Sequence, residues 1–95
     1  MSYYTGKVYA ICYDLRQPGR DYSGLFGAIK AVGPWWHYLD STWLVKTTMA
    51  PDQLWPVLSP HLDQNDFLLI IEVKNNKSGW LPKEAWDWID ANLPV

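Results

Sequence analysis

The residues best suited to chemistry lie where the first apolar run ends. Residues 7–13 read Lys-Val-Tyr-Ala-Ile-Cys-Tyr, Asp14 follows at once, and the next turn carries Arg16 and Arg20 around Gln17-Pro18-Gly19. A carboxylate at the mouth of a core strand, beside guanidinium groups, can serve a metal ion or a phosphate. The arginines would grip phosphate oxygens in bidentate fashion. The plain alternative is that Asp14 stops the strand and bonds the backbone of the turn. His37, between Trp36 and Tyr38, has a side chain whose ordinary pKa suits a general base near neutral pH. Its plain alternative is a half-exposed strand residue. No His/Cys spacing suggests zinc. No glycine-rich phosphate loop or serine-nucleophile motif occurs either. Cys12 is the one cysteine; its place in the apolar run predicts a buried core thiol, no internal disulfide and a reducing, cytoplasmic setting.

These residues depend on the elements around them. The run over 7–13 is apolar on both faces, which predicts a central strand in a covered sheet. Tyr22, Leu25, Phe26, Ile29 and Val32 share one helical face, with Asp21 as the expected N-cap and Gly33-Pro34 as the stop. Gly24 and Gly27 lower helix propensity by about 1 kcal/mol each and are expected to let the helix approach the sheet. Residues 35–38 and 42–47 have the aromatic and β-branched content of strands, joined by Leu39-Asp40-Ser41 or forming one bulged strand. A second helix begins near Pro51, with Leu54, Val57, Leu58, His61 and Leu62 on its inner side. Pro56 and Pro60 predict that it is short or kinked. Residues 63–66 form a turn, 67–73 a strand, and about 82–92 a last helix with Leu81, Ala85, Trp88, Ile89 and Asn92 on one side.

The predicted order is β-α-β-β-α-β plus an extra C-terminal helix. It corresponds to an α+β, ferredoxin-like antiparallel sheet with helices on one face. The other face must then be covered by the extra helix or by a second subunit. Ninety-five residues make a single domain over 1–95, its core over about 7–73. The formal charge of −2 is unevenly spread. Five Lys/Arg against three Asp in residues 1–48 give +2; three lysines against seven acids in 49–95 give −4. No strongly basic stripe exists for nonspecific nucleic-acid binding, so any such role must use a local patch in the first half. The N-terminus shows no apolar signal segment, and no run approaches the ~20 apolar residues of a membrane helix; no membrane partner is expected.

With the strand ending Tyr13-Asp14-Leu15, Trp36–Thr47, the short second helix and Asn65-Asp66 before the 67–73 strand, the chain resembles the ferredoxin-like CRISPR-associated adaptation protein, partner of the CRISPR integrase. It also resembles VapD-like toxins and small SinR-family bacterial proteins. The resemblance covers roughly residues 7–73. It implies a homodimer in which Asp14 of each subunit faces its mate near the two-fold axis. In catalytic members of the family such a pair is associated with a divalent metal and phosphodiester cleavage, whereas other members are structural, DNA-contacting dimers. Two adjacent carboxylates repel unless a cation separates them, and Mg²⁺ accepts one or two carboxylates while keeping waters for a phosphate substrate. The Trp-rich C-terminal segment departs from the family, which typically exchanges a strand there.

Two expectations follow. In the first, the chain is a small homodimer that interacts with RNA or DNA and acts as an Mg²⁺-dependent ribonuclease, with Asp14 as metal ligand and catalytic group and Arg16, Arg20 and His37 as nucleic-acid contacts. In the second, it is a non-catalytic protein–protein interaction module whose Trp-rich C-terminal helix docks a protein partner. Seven tryptophans, each able to bury about 150–250 Å², cannot all enter one small core. Trp80 and Trp86 are the expected partner contacts, since large aromatics are enriched in interfaces. Trp88 is expected inside, and Lys83 with Asp87 forms an i, i+4 surface pair.

Overall fold

Residue 11 sits at the crossing point of the structure, because its strand has an apolar neighbour on each side and a helical layer above. A computed structural model describes residues 6–93 and, among them, four strands and three α-helices. In chain order they are β1 (Lys7–Asp14), α1 (Ser23–Val32), β2 (Trp35–Leu39), β3 (Thr42–Thr47), α2 (Pro51–Leu58), β4 (Phe67–Glu72) and α3 (Lys83–Asn92). The strands form one sheet in the order β2-β3-β1-β4, with every pairing antiparallel. The protein is therefore α+β. Residues 35–47 make two strands, not one, with an irregularity between Trp36 and Leu39. Among the described residues no helix is long and apolar enough to cross a membrane.

Alternation along β1 sends its side chains into two separate cores. Tyr9 and Ile11 join Leu25 and Ile29 of α1, Leu54 and Leu58 of α2, and Trp43 and Val45 of β3. On the other face Val8 joins Leu44, Trp36 and the inner side of α3, Ala85, Ile89 and Leu93. The indole N–H of Trp36 donates to the carbonyl of Ala85 at 3.1 Å and ties α3 to the sheet. Thus α1 and α2 cover one face, and α3 covers part of the other.

The helix ends correct several expectations. The N-cap of α1 is Tyr22, not Asp21. The Asp21 carboxylate instead accepts from the Ser23 N–H at 2.9 Å, a local turn bond. Helix α2 ends at Leu58 and relaxes into a 3₁₀ turn over Ser59–His61, which accommodates Pro60 at a position where no α-helical N–H is required. Val57 faces outward, 40% exposed, because Leu54 and Leu58 alone fill the inner side. Cys12 is only half-buried, since its side chain falls on the incompletely covered face.

The two glycines of α1 differ. A Cβ at Gly24 would lie 2.9 Å from Nδ1 of His61, so this glycine makes room for the turn after α2 and not for the sheet. At Gly27 a Cβ would meet nothing within 4 Å. Gly27→Ala should therefore raise stability by about 0.5–1 kcal/mol through helix propensity. Gly24→Ala should gain less or destabilise, because His61 must move; urea unfolding of the pair checks this contrast.

Candidate functional site

Asp14 ends β1 with its carboxylate 65% exposed, directly opposite Phe67 of β4. Paired residues of an antiparallel ladder point to the same face. Asp14–Phe67, Cys12–Leu69 and Ala10–Ile71 therefore form three consecutive pairs on the face that α3 only partly covers. Phe67, Leu69 and Ile71 are 63%, 57% and 53% exposed. A shallow open depression runs along Cys12, Asp14, Phe67 and Leu69. The result is an apolar strip on an edge strand with a carboxylate at one end.

Arg16 closes that end. Its guanidinium lies 3.2 Å from the Asp14 carboxylate and over the Phe67 ring at 5.4 Å from the centroid. Both partners of the ion pair are more than half exposed, so the pair contributes little stability. Arg20 is committed elsewhere: it donates to Asp63 at 3.4 Å and to the His61 carbonyl at 3.3 Å, and covers the Tyr22 ring. It does not meet Asp14 in any of these contacts. His37 is two strands away on β2, stacked on Trp43 at 3.8 Å between centroids, with Nε2 at 3.2 Å from the Asp40 carbonyl. Because Trp43 belongs to the core under α1 and α2, His37 lies on the opposite face from Asp14. Of the residues singled out from sequence, the fold brings Asp14 and Arg16 together and separates His37 from them.

The two carboxylates that organise this end are Asp63 and Asp66, neither of which the sequence singled out as a site residue. Asp66 accepts from the Arg16 N–H at 2.7 Å, the Asp63 N–H at 2.8 Å and the Tyr22 hydroxyl at 2.8 Å. Asp63 accepts from the Gln17 amide at 2.9 Å and the Asn65 N–H at 3.1 Å. Partial desolvation opposes ionisation of Asp66, but the donors from Arg16, Asp63 and Tyr22 outweigh it and hold its pKa below the ordinary value. The Gln17 amide, followed by the Asn65 N–H, does the same for Asp63. These contacts knit the 15–22 loop to the 63–66 turn and so fix where Arg16 stands.

As a metal centre, a single chain offers one carboxylate at Asp14, already facing Arg16. Among the described residues no group of three or more His, Cys, Asp or Glu side chains could hold a metal ion. The donor set of one protomer does not fit Mg²⁺, and further ligands would have to come from a second copy. Near the C-terminus, Trp80 is 98% exposed in the loop before α3. Trp86 is partly buried against the α3 core, with Gly79 beside its ring, and Trp88 packs on the same core. Lys83 and Asp87 form the expected surface pair at 2.8 Å.

No protein-family model matches the chain, and no curated protein or solved structure matches it.

The Asp63/Asp66 lock has a pH signature. With folded pKa values below the unfolded value of about 3.9, its stabilisation is complete above that pH and is lost as pH falls through the folded values. Asp66→Asn should lower the melting temperature at pH 7 and flatten its decline between pH 5 and pH 2. Thermal melts across that range check both effects; an unchanged acid limb would remove Asp66 from this role.

Proposed function

We propose that the chain is a homodimeric interaction protein on a ferredoxin-like scaffold, with the edge strand β4, which carries the open strip beside Asp14, as its self-association element. The scaffold reading is supported by the strand order, in which β1 and β3 are central and antiparallel, with α1 and α2 together on one face. The observation that carries the functional reading is the run Phe67, Leu69 and Ile71, each more than half exposed at alternate positions of one edge strand. Isolated exposed apolar residues are ordinary, but a contiguous row of large ones marks an interaction surface. An exposed Trp80 adds a second aromatic contact point outside the strip. Helix α3 is occupied on its apolar side by the domain's own sheet, so in this C-terminal segment the exposed aromatic is Trp80 in the loop and not the helix face.

Light scattering at micromolar concentration should give about 22 kDa, twice the chain mass of 11.0 kDa. Leu69→Lys should shift it to the monomer while changing monomer stability by no more than about 0.5 kcal/mol, as for an exposed position. A wild-type monomer at these concentrations would sink the reading.

A second reading is favoured by the exposed carboxylate of Asp14 with Arg16 beside it. In a dimer that brought two Asp14 carboxylates together, they would bind Mg²⁺ and the arginines would contact phosphates, giving a nuclease acting on RNA or DNA. Wild type and Asp14→Asn, purified in parallel, should then differ by at least about 10-fold in Mg²⁺-dependent cleavage of labelled RNA or DNA, the lower end of what losing even the support of a metal ligand costs. Equal behaviour of the two proteins eliminates Asp14 as a metal ligand.

A further inference from the structure

The outer edge of β4 has its own polarity. The Val73 N–H donates to the Val8 carbonyl at 2.8 Å, which makes Val8–Val73 a hydrogen-bonded pair in the β1–β4 register. Hydrogen-bonded and non-hydrogen-bonded pairs alternate along an antiparallel ladder. The backbone groups of Phe67, Leu69 and Ile71 are therefore turned towards β1, and those of Leu68, Ile70 and Glu72 are turned outward. Among the described residues β4 is the last strand on its side of the sheet. Two of the three outward-turned residues, Leu68 and Ile70, lie in the uncharged run Phe67–Ile71, which has no proline or lysine, although natural edges are usually blunted by such residues.

We infer that β4 pairs antiparallel with β4 of a second copy, about a two-fold axis at Ile70, to make one continuous eight-stranded sheet. This inference rests on the homodimer reading and names its geometry. A two-fold axis normal to the sheet keeps each face on its own side, so residues directly opposite must share a face and only every second register is allowed. Three such registers give substantial overlap. With Leu69 opposite itself, Asp66 stands opposite the partner's Glu72, and symmetry repeats that repulsion. With Ile71 opposite itself, the overlap moves off the start of the strand and leaves Phe67 without a partner in it. With Ile70 opposite itself, Asp66 meets the partner's Lys74, Leu68 exchanges hydrogen bonds with the partner's Glu72, and Leu69 sits beside the partner's Ile71. Phe67 then lies beside the partner's Val73. Parallel pairing would set Asp66 beside the partner's Asp66 and Glu72 beside the partner's Glu72.

Lys74 is ion-paired with Glu72 of its own chain at 2.8 Å. In the Ile70 register this pair meets the partner's Asp66 through its lysine and not its glutamate, and that charge complementarity favours one register and a second copy as its occupant. Asp63 and Asp66 also line a depression next to the start of β4 with Trp55 and Leu62; Asp63 is paired with Arg20, so it is Asp66 that places negative charge where the partner's Lys74 arrives. In this dimer the outward N–H and C=O groups of Leu68, Ile70 and Glu72 find partners, and the two apolar strips join across the axis. The two Asp14 carboxylates are held roughly 25 Å apart by strand rise and spacing. A shared metal ion at Asp14 is incompatible with that separation, so this dimer and the nuclease reading exclude each other.

Single cysteines read the register directly. They are placed in a Cys12→Ser background, because Cys12 faces Leu69 within the chain. Ile70→Cys should form a disulfide-linked dimer under oxidised glutathione, since its Cα atoms would lie about 5.5 Å apart. Leu69→Cys alone and Ile71→Cys alone should not, because each would be roughly 8 Å from its own copy, beyond bridging range. Mixing Leu69→Cys with Ile71→Cys should link the two chains, and this exposed pair keeps the test valid if Ile70→Cys unfolds. Crosslinking of Leu69→Cys or Ile71→Cys by itself overturns the register. A wild-type dimer that links through none of these positions overturns edge pairing but leaves the homodimer reading standing, whereas a wild-type monomer overturns both.

Discussion

The structure depends on β1 being apolar on both sides. Tyr9 and Ile11 need one cover and Val8 and Ala10 need another. A four-stranded sheet cannot bury such a strand with two helices on a single face. Helix α3 exists in this context as the second cover, anchored by Ala85, Ile89 and Leu93 and by the Trp36 hydrogen bond. It spans the side of β2 and β3 and leaves the side of β4 open. The apolar strip on β4 follows from that geometry: a ten-residue helix is about 15 Å long, too short to shield a whole sheet face.

The same end of the sheet that is left open is also the most tightly tied by polar contacts. Asp66 gathers the Arg16 N–H, the Asp63 N–H and the Tyr22 hydroxyl, and Asp63 holds Gln17 and Arg20. A loop of eight residues between β1 and α1 is thereby held against the turn that starts β4. That arrangement leaves Arg16 free to stand over Phe67 and Asp14 while Arg20 is occupied. Two arginines four residues apart thus have unlike roles, one at the strip and one in the scaffold.

Much of the fold was legible because it is carried by local pattern. The apolar run of β1, the 3.6-residue spacing of Leu25, Phe26 and Ile29, and Pro51 at a helix start all act within a few residues, and the element order they predict is the order observed. The 3₁₀ relaxation after Leu58 was legible too, since Pro60 forbids a regular continuation. The site was less so. His37 shares a segment with Trp36 but not a face with Asp14. Asp63 and Asp66 read as turn formers, because their partners, Gln17, Arg16 and Tyr22, lie more than forty residues away. Gly24 read as a contact with the sheet, whereas its neighbour is His61.

What the amino-acid order determined by itself was which segments are strands and helices, that β1 has two apolar faces, and that Asp14 ends it beside two arginines. Those are properties of neighbours along the chain, set by periodicity and backbone chemistry. Only the tertiary structure decided that Asp14 shares a strip with Phe67, Leu69 and Ile71, that Arg20 and His37 are engaged away from it, and that β4 is the bare edge. The reason is register: the pairing that sums β1 and β4 positions is a long-range fact, and shifting it by one residue would have turned every one of those side chains to the other face.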